Sequence, residues 1–253
     1  MKTIISSTLT ILASLCFMSC QTENTPQETN APVGAVDLGL SVYWAKCNLG
    51  AETSYDSGDY YSWGEIQPKT DYSPMNYNWY DPKCFSEPQV PFLDDVIVLK
   101  YCANEENGAV DNRLVLEPTD DVAHVKLGGD WYMPTEAEWK ELIEKCTWTW
   151  TTRNGVVGCE VCSKKNGNTI FLPAAGSWGW SGLLGSPWVG TSSGLGGVGS
   201  CGRYWSSSLY REQAPWAMAM FFIDASELIP KPTFTTHSYP RIDGFSVRPV
   251  YRK

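Results

Sequence analysis

Gly128-Gly129-Asp130-Trp131-Tyr132-Met133-Pro134-Thr135-Glu136-Ala137-Glu138-Trp139 is the stretch on which the reading of this chain turns. Two shorter stretches complete it: Tyr204-Trp205-Ser206-Ser207-Ser208 and Gly244-Phe245-Ser246-Val247-Arg248-Pro249-Val250. In the first, Thr135 can cap a helix, and Glu138 stands three residues on, the spacing of a capping box. Trp139, Leu142, Ile143 and Cys146 then recur at helical spacing and make one apolar face. The pattern predicts a helix from 136 to about 146, with Glu141 and Lys145 four apart on its exposed side.

Beyond this helix the period changes. Thr147-Trp148-Thr149-Trp150-Thr151 alternates and reads as a strand. Arg153-Asn154-Gly155 is a turn, and 156–163 is a second strand. Asn166-Gly167 is expected to be a type I′ hairpin turn, which needs positive φ at both central residues. Thr169-Ile170-Phe171-Leu172 returns as a third strand. Trp205, then Trp216, Met218 and Met220 facing the core, then Phe245, Val247 and Val250 give the last strands. Before the helix, 35–45 reads as two short strands around a bend at Gly39. Residues 116–125 are a short helical candidate, with Asp120 and Asp121 near its N-terminus, where the dipole favours them. Residues 66–90 are rich in Tyr, Asn, Pro and Ser without periodicity and are expected to form a long surface loop. Residues 177–202 are Gly/Ser-rich around Trp178, Trp180 and Trp188, too long for a simple connection, which suggests a functional or a mobile loop. No internal repeat is visible.

The three blocks, in that order, resemble the core of the C-type-lectin-like fold in the variant used by formylglycine-generating enzymes. They resemble more closely a bacterial lipoprotein family, the Fibrobacter succinogenes major paralogous domain. Val36-Asp37-Leu38-Gly39-Leu40-Ser41-Val42-Tyr43-Trp44-Ala45 and Asp59-Tyr60-Tyr61-Ser62-Trp63-Gly64-Glu65 match that family's opening blocks. The resemblance implies an α+β, C-type-lectin-like domain of short antiparallel strands, one or two helices and long loops, a frame that mostly presents loops for binding. The same blocks occur in target proteins of diversity-generating retroelements, where a variable C-terminal segment meets the ligand. Here that segment is 209–243, between the anchors Trp205 and Phe245. The implied ligand-binding residues are Tyr210, Arg211, Glu212, His237, Tyr239 and Arg241, joined by Trp180 and Trp188 of the Gly-rich loop. Aromatic and Arg side chains are the usual anchors of binding faces. In the related enzymes catalysis depends on two closely spaced Cys that can bind copper. Cys201 stands alone in Gly199-Ser200-Cys201-Gly202-Arg203, so no enzyme activity is expected and no catalytic residue or cofactor is assigned.

The N-terminus points to export. Met1-Lys2 precedes an apolar run from Ile4 to Met18, too short to span a bilayer as a stable helix and typical of a secretory signal. Ser19-Cys20 at the end of that run resembles a lipobox, in the relaxed form of Bacteroidetes-like bacteria. Residues 1–19 are then a signal peptide and Cys20 is the lipidated first residue. Residues 20–32 are polar, with too little apolar surface to fold, and make a tether. Residues 33–253 make one domain with a sizeable core. The expected location is the outer membrane, held by the N-terminal lipid. Just after Cys20 the only acidic residue is Glu23, short of the acidic cluster that sends some lipoproteins to the cell surface.

Composition narrows the partners. Twelve Trp and thirteen Tyr can fill a core poor in regular structure and can also line a binding face. A net charge of -9 without a basic stripe argues against nucleic acid. Once Cys16 is cleaved off and Cys20 lipidated, the remaining cysteines are Cys47, Cys84, Cys102, Cys146, Cys159, Cys162 and Cys201, an odd and scattered set rather than a disulfide framework. Cys159-Glu160-Val161-Cys162 lies in a strand-like stretch, where its ends point to opposite faces, so two small apolar residues are read there and not a zinc half-site. His124 and His237, the only histidines, have the simplest reading as structural. Asp94-Asp95 and Asp120-Asp121 are too few oxygens for calcium, and no metal is assigned. The function expected is a ligand-binding or adhesion module for a protein or glycan. The alternatives are a fimbria-like appendage component and, further off, a formylglycine-generating-type oxidase.

Overall fold

The three blocks meet in space. A computed structural model describes residues 31–85, 93–179, 194–225 and 231–253, and residues 31–253 make one compact unit. In chain order the strands are β1 (Ala35–Val36), β2 (Val42–Ala45), β3 (Tyr60–Tyr61), β4 (Trp131–Tyr132), β5 (Cys146–Arg153), β6 (Val156–Ser163) and β7 (Thr169–Pro173). They continue as β8 (Ala175–Gly179), β9 (Gly194–Val198), β10 (Cys201–Leu209), β11 (Trp216–Ile223), β12 (Thr233–Pro240), β13 (Phe245–Ser246) and β14 (Val250–Arg252). The α-helices among the described residues are α1 (Val122–Leu127) and α2 (Glu136–Lys145). The class is α+β, with mostly antiparallel pairing.

One sheet runs β1-β2-β14-β4, a second runs β12-β11-β10-β13-β3 with β8 and β9 attached beside β10, and β5-β6-β7 make a third. The last block supplies β14, which lies between β2 and β4, pairing Val250 with Trp44 on one side and Tyr132 on the other. It also supplies β13, which pairs in parallel with β10 at Ser246 and Tyr204. Trp205 stacks on Phe245 at 4.2 Å. The Trp139 indole donates to the Trp205 carbonyl at 3.3 Å, and the Ser207 amide donates to Pro134 O at 2.8 Å. Helix α2 is thereby fixed against β10, and its Trp139 ring also meets Trp44 of β2 at 4.7 Å.

The start of α2 follows from its sequence. Thr135 Oγ1 accepts from the Glu138 amide at 3.3 Å, and Glu138 Oε2 accepts from the Thr135 amide at 2.6 Å, a complete capping box. Trp139, Leu142 and Cys146 are buried on the apolar face. Thr135→Ala should therefore lower stability by about 1 kcal/mol, visible as a shifted denaturation midpoint. The exposed side differs from expectation. Lys145 pairs with Glu144, while Glu141 accepts from the Ser41 amide and hydroxyl, because a fixed backbone donor is a better partner than a mobile surface ammonium.

Several other expectations need correction. The type I′ turn is at Asn154-Gly155, where φ is 48° and 79° and Arg153 pairs with Val156. At 163–168 only Gly167 is left-handed, at 76°. There the Ser163 hydroxyl accepts from the amides of Lys165 and Asn166 and holds a longer turn. Residues 66–85 reach the surface, with Met75 exposed, but are more than a surface loop. Tyr72, Tyr77 and Tyr80 are buried, and their hydroxyls donate to the carbonyls of Tyr60, Trp63 and Pro215, so rings fill a core that lacks regular elements. The helix expected at 116–125 is α1, which starts later, capped by Asp121. Asp120 serves instead as partner of Lys100 at 2.5 Å and of the Tyr101 hydroxyl. On β11 Met220 faces the core, but Trp216 and Met218 are half-buried and the fully buried residues between them are Ala217 and Ala219. The sheet is covered on both sides, and the bulky Trp205–Phe245 pair leaves room only for alanine on one of them.

All seven cysteines from Cys47 to Cys201 are free thiols. Cys159 faces the core opposite Leu172, and Cys162, opposite Thr169, lies half-exposed on the other face of the sheet. Burial raises the pKa of Cys102, Cys146, Cys159 and Cys201, that of Cys146 to about 11. No described helix is long and apolar enough to cross a membrane.

Candidate functional site

Strands β10, β11 and β12 pair in register, so alternate residues of all three share a face. Arg203 stands beside Phe221 and Thr235, and Ala217 and Ala219 stand beside Tyr239 and His237. The turn from β10 to β11 lies at the Tyr239 end of this sheet, since the Tyr210 amide donates to the Trp216 carbonyl, next to the Ala217–Tyr239 pair.

Of the residues picked out from sequence, this region gathers five. The Tyr210 hydroxyl donates to Glu212 Oε2 at 2.8 Å, Arg211 is exposed beside them, and Asn104 holds the turn by donating to the Glu212 carbonyl at 3.1 Å. His237 is exposed on β12, with its ring 5.4 Å from that of Tyr239. Tyr239 is half-buried, edge-on to Phe245 at 5.2 Å. Trp180 and Trp188 lie outside the described residues, as does Cys20.

Arg241 does not belong to the set. It is 0% exposed. Its guanidinium lies over the Trp63 ring at 4.7 Å and donates to the Tyr77 hydroxyl and the carbonyls of Lys100 and Ala214, at 3.0 to 3.2 Å. A planar fork that supplies five donors in fixed directions ties three segments together. Arg248 does the same elsewhere, donating to Asn48 Oδ1 and the carbonyls of Ala45, Lys46 and Phe171.

Two residues that the sequence did not single out complete the region. Arg203 is only 7% exposed. Its guanidinium rests against the rings of Phe221 and Tyr239 at 5.2 and 5.3 Å, and Nη1 donates to Ser177 Oγ at 2.8 Å. No carboxylate is within ion-pair distance of it among the described residues. Asp243, half-buried, feels the Arg203 charge, but burial outweighs that attraction and lifts its pKa to about 7. An acid so poised can accept or donate a hydrogen bond near neutral pH. Tyr239 is also raised by burial and stays a phenol. Nothing local marks Arg203 in the sequence, because β10 is buried along almost its whole length and shows no alternation. The region offers a guanidinium, two hydroxyls and a switchable acid, together with the exposed His237 and the half-exposed Tyr210. Such groups can exchange hydrogen bonds with a polar ligand. Burial raises the Cys201 thiol as well, which keeps it protonated and a poor nucleophile. No group of three or more His, Cys, Asp and Glu side chains gathers as a metal site among the described residues.

Comparisons with protein-family models, with curated proteins and with solved structures find no match to this chain.

Proposed function

We propose that the chain is a cell-envelope lipoprotein whose α+β domain, C-type-lectin-like in design, binds a protein or glycan through its C-terminal segment. One observation carries this reading. The residues on either side of 209–243 are locked into the core, while Tyr210, Arg211, Glu212 and His237 between them are on a turn and a strand that reach solvent. A buried frame with exposed aromatic and charged side chains between its fixed ends is the arrangement binding loops need.

The appendage alternative draws support from β12, whose outer edge pairs with no described strand. Against it, the Thr235 hydroxyl donates to the carbonyl of Thr236, and the His237 ring is 2.7 Å from that of Ser238, so edge carbonyls are occupied locally. The oxidase alternative needs a second thiol beside Cys201 and a reactive thiolate, whereas burial raises the pKa of Cys201.

The test is adhesion of cells that carry the full chain to a mucin-coated surface. Joint replacement of Tyr210, Arg211 and His237 by Ser should reduce adhesion to background and leave the thermal melt of the protein unchanged. Cys20→Ala should do so by releasing the chain from the membrane fraction. Adhesion that survives the triple replacement would place the ligand elsewhere.

A further inference from the structure

A second recess lies away from the C-terminal face, against the sheet of β5, β6 and β7. Pairing Glu160 with Phe171 and Cys159 with Leu172 puts alternate residues on opposite sides. Cys159, Val161, Ile170 and Leu172 enter the core, and Glu160, Phe171 and Arg153 line the outer side, where Arg153 and Glu160 form an ion pair. Facing them is the segment that follows β2, with Lys46, Glu52 and Tyr55. Between these walls is an open cleft of about 610 Å³. Binding clefts for small molecules run from roughly 300 to 1,000 Å³.

Both walls are fixed before any ligand arrives. Phe171 is pressed over Gly158, where an added Cβ would be 2.7 Å from its Cζ. Tyr55 is carried on a turn in which the Thr53 amide and hydroxyl both donate to Asp56 Oδ2 at 2.8 Å. The Tyr55 and Phe171 rings converge at 5.5 Å, tilted by 56°. The charges of the lining cancel, with Lys46 and Arg153 against Glu52 and Glu160.

We infer that this cleft binds a neutral, hydroxyl-rich ligand, the end of a short oligosaccharide. A sugar ring has an apolar C–H face that suits aromatic rings and a rim of hydroxyls that suits carboxylate and guanidinium groups. A lining of zero net charge gives no preference to an ion of either sign. A purely apolar ligand would strip water from Lys46, Glu52 and the Arg153–Glu160 pair without replacing its hydrogen bonds.

The site is separate from the C-terminal segment and is tested separately. Purified full-length protein in detergent is titrated by calorimetry with cellotriose, maltotriose, chitotriose, mannotriose and, as charged control, trigalacturonate. At least one neutral trisaccharide should bind. Tyr55→Ala and the near-isosteric Glu160→Gln should each weaken it about tenfold, with thermal melts confirming that both variants are folded. The triple replacement at Tyr210, Arg211 and His237 should leave this binding intact. The proposal is overturned if no neutral trisaccharide binds, if trigalacturonate binds more tightly, or if both cleft variants bind as the parent does. Loss of sugar binding in the triple variant alone would move the sugar to the C-terminal segment, overturning the cleft while favouring the function proposed above.

Discussion

Arg241→Ala is expected to remove about 3–5 kcal/mol of stability, enough to unfold a domain of ordinary marginality. The side chain is fully buried, and its donors satisfy Tyr77 Oη and the carbonyls of Lys100 and Ala214. Truncation leaves those acceptors without partners and opens a hole among Trp63, Tyr77 and Tyr101. Arg241→Lys should recover only part of the loss, since an ammonium keeps the charge without the planar fork. Arg211→Ala, at an exposed position, should stay within about 0.5 kcal/mol of the parent. Urea denaturation of the three variants decides the matter. If the Ala variants at 241 and 211 were equally stable, Arg241 would be the surface residue its sequence context suggested.

Trp205→Ala should cost a similar amount, about 3–5 kcal/mol, by a different route. Its ring is stacked on Phe245, and its indole donates to the Tyr61 carbonyl at 2.7 Å. Its own carbonyl accepts from Trp139. One residue therefore joins β3, β10, β13 and α2. Neighbours of this size collapse poorly into the space of a lost indole, because Ala217 and Ala219 are too small to fill it. Calorimetric melting should show a large fall in Tm, whereas a loss under 1 kcal/mol would mean that the three blocks are not coupled through this ring.

What could be read from sequence was local. The capping box at Thr135, the alternation of 147–151 and the strands at 156–163 and 169–172 depend on neighbours within a few residues, and they fall where expected. The failures share a cause. Arg241 looked like a ligand contact because charged side chains are mostly exposed. Its acceptors are 141 and 27 residues away, beyond any spacing rule. Tyr72, Tyr77 and Tyr80 looked like loop residues because no period links them, yet each hydroxyl finds a distant carbonyl. The two Asn-Gly pairs are alike in sequence. They differ because the second lies in a longer turn, held by the Ser163 hydroxyl and by the Asn166 and Asn168 side chains that donate to the Asp37 carbonyl. The cleft beside Phe171 has walls from separate parts of the chain and leaves no mark in either.

Cys159 sits on the core side of β6, and Cys162, three residues along the same strand, sits half-exposed on the other. An alkylating reagent reaches the first only when β6 parts from its neighbours, while it can meet the second in the closed state. The strand thus holds a stopwatch and its own reference mark. The ratio of the two labelling rates reports how often this sheet opens, with the reagent's intrinsic reactivity divided out.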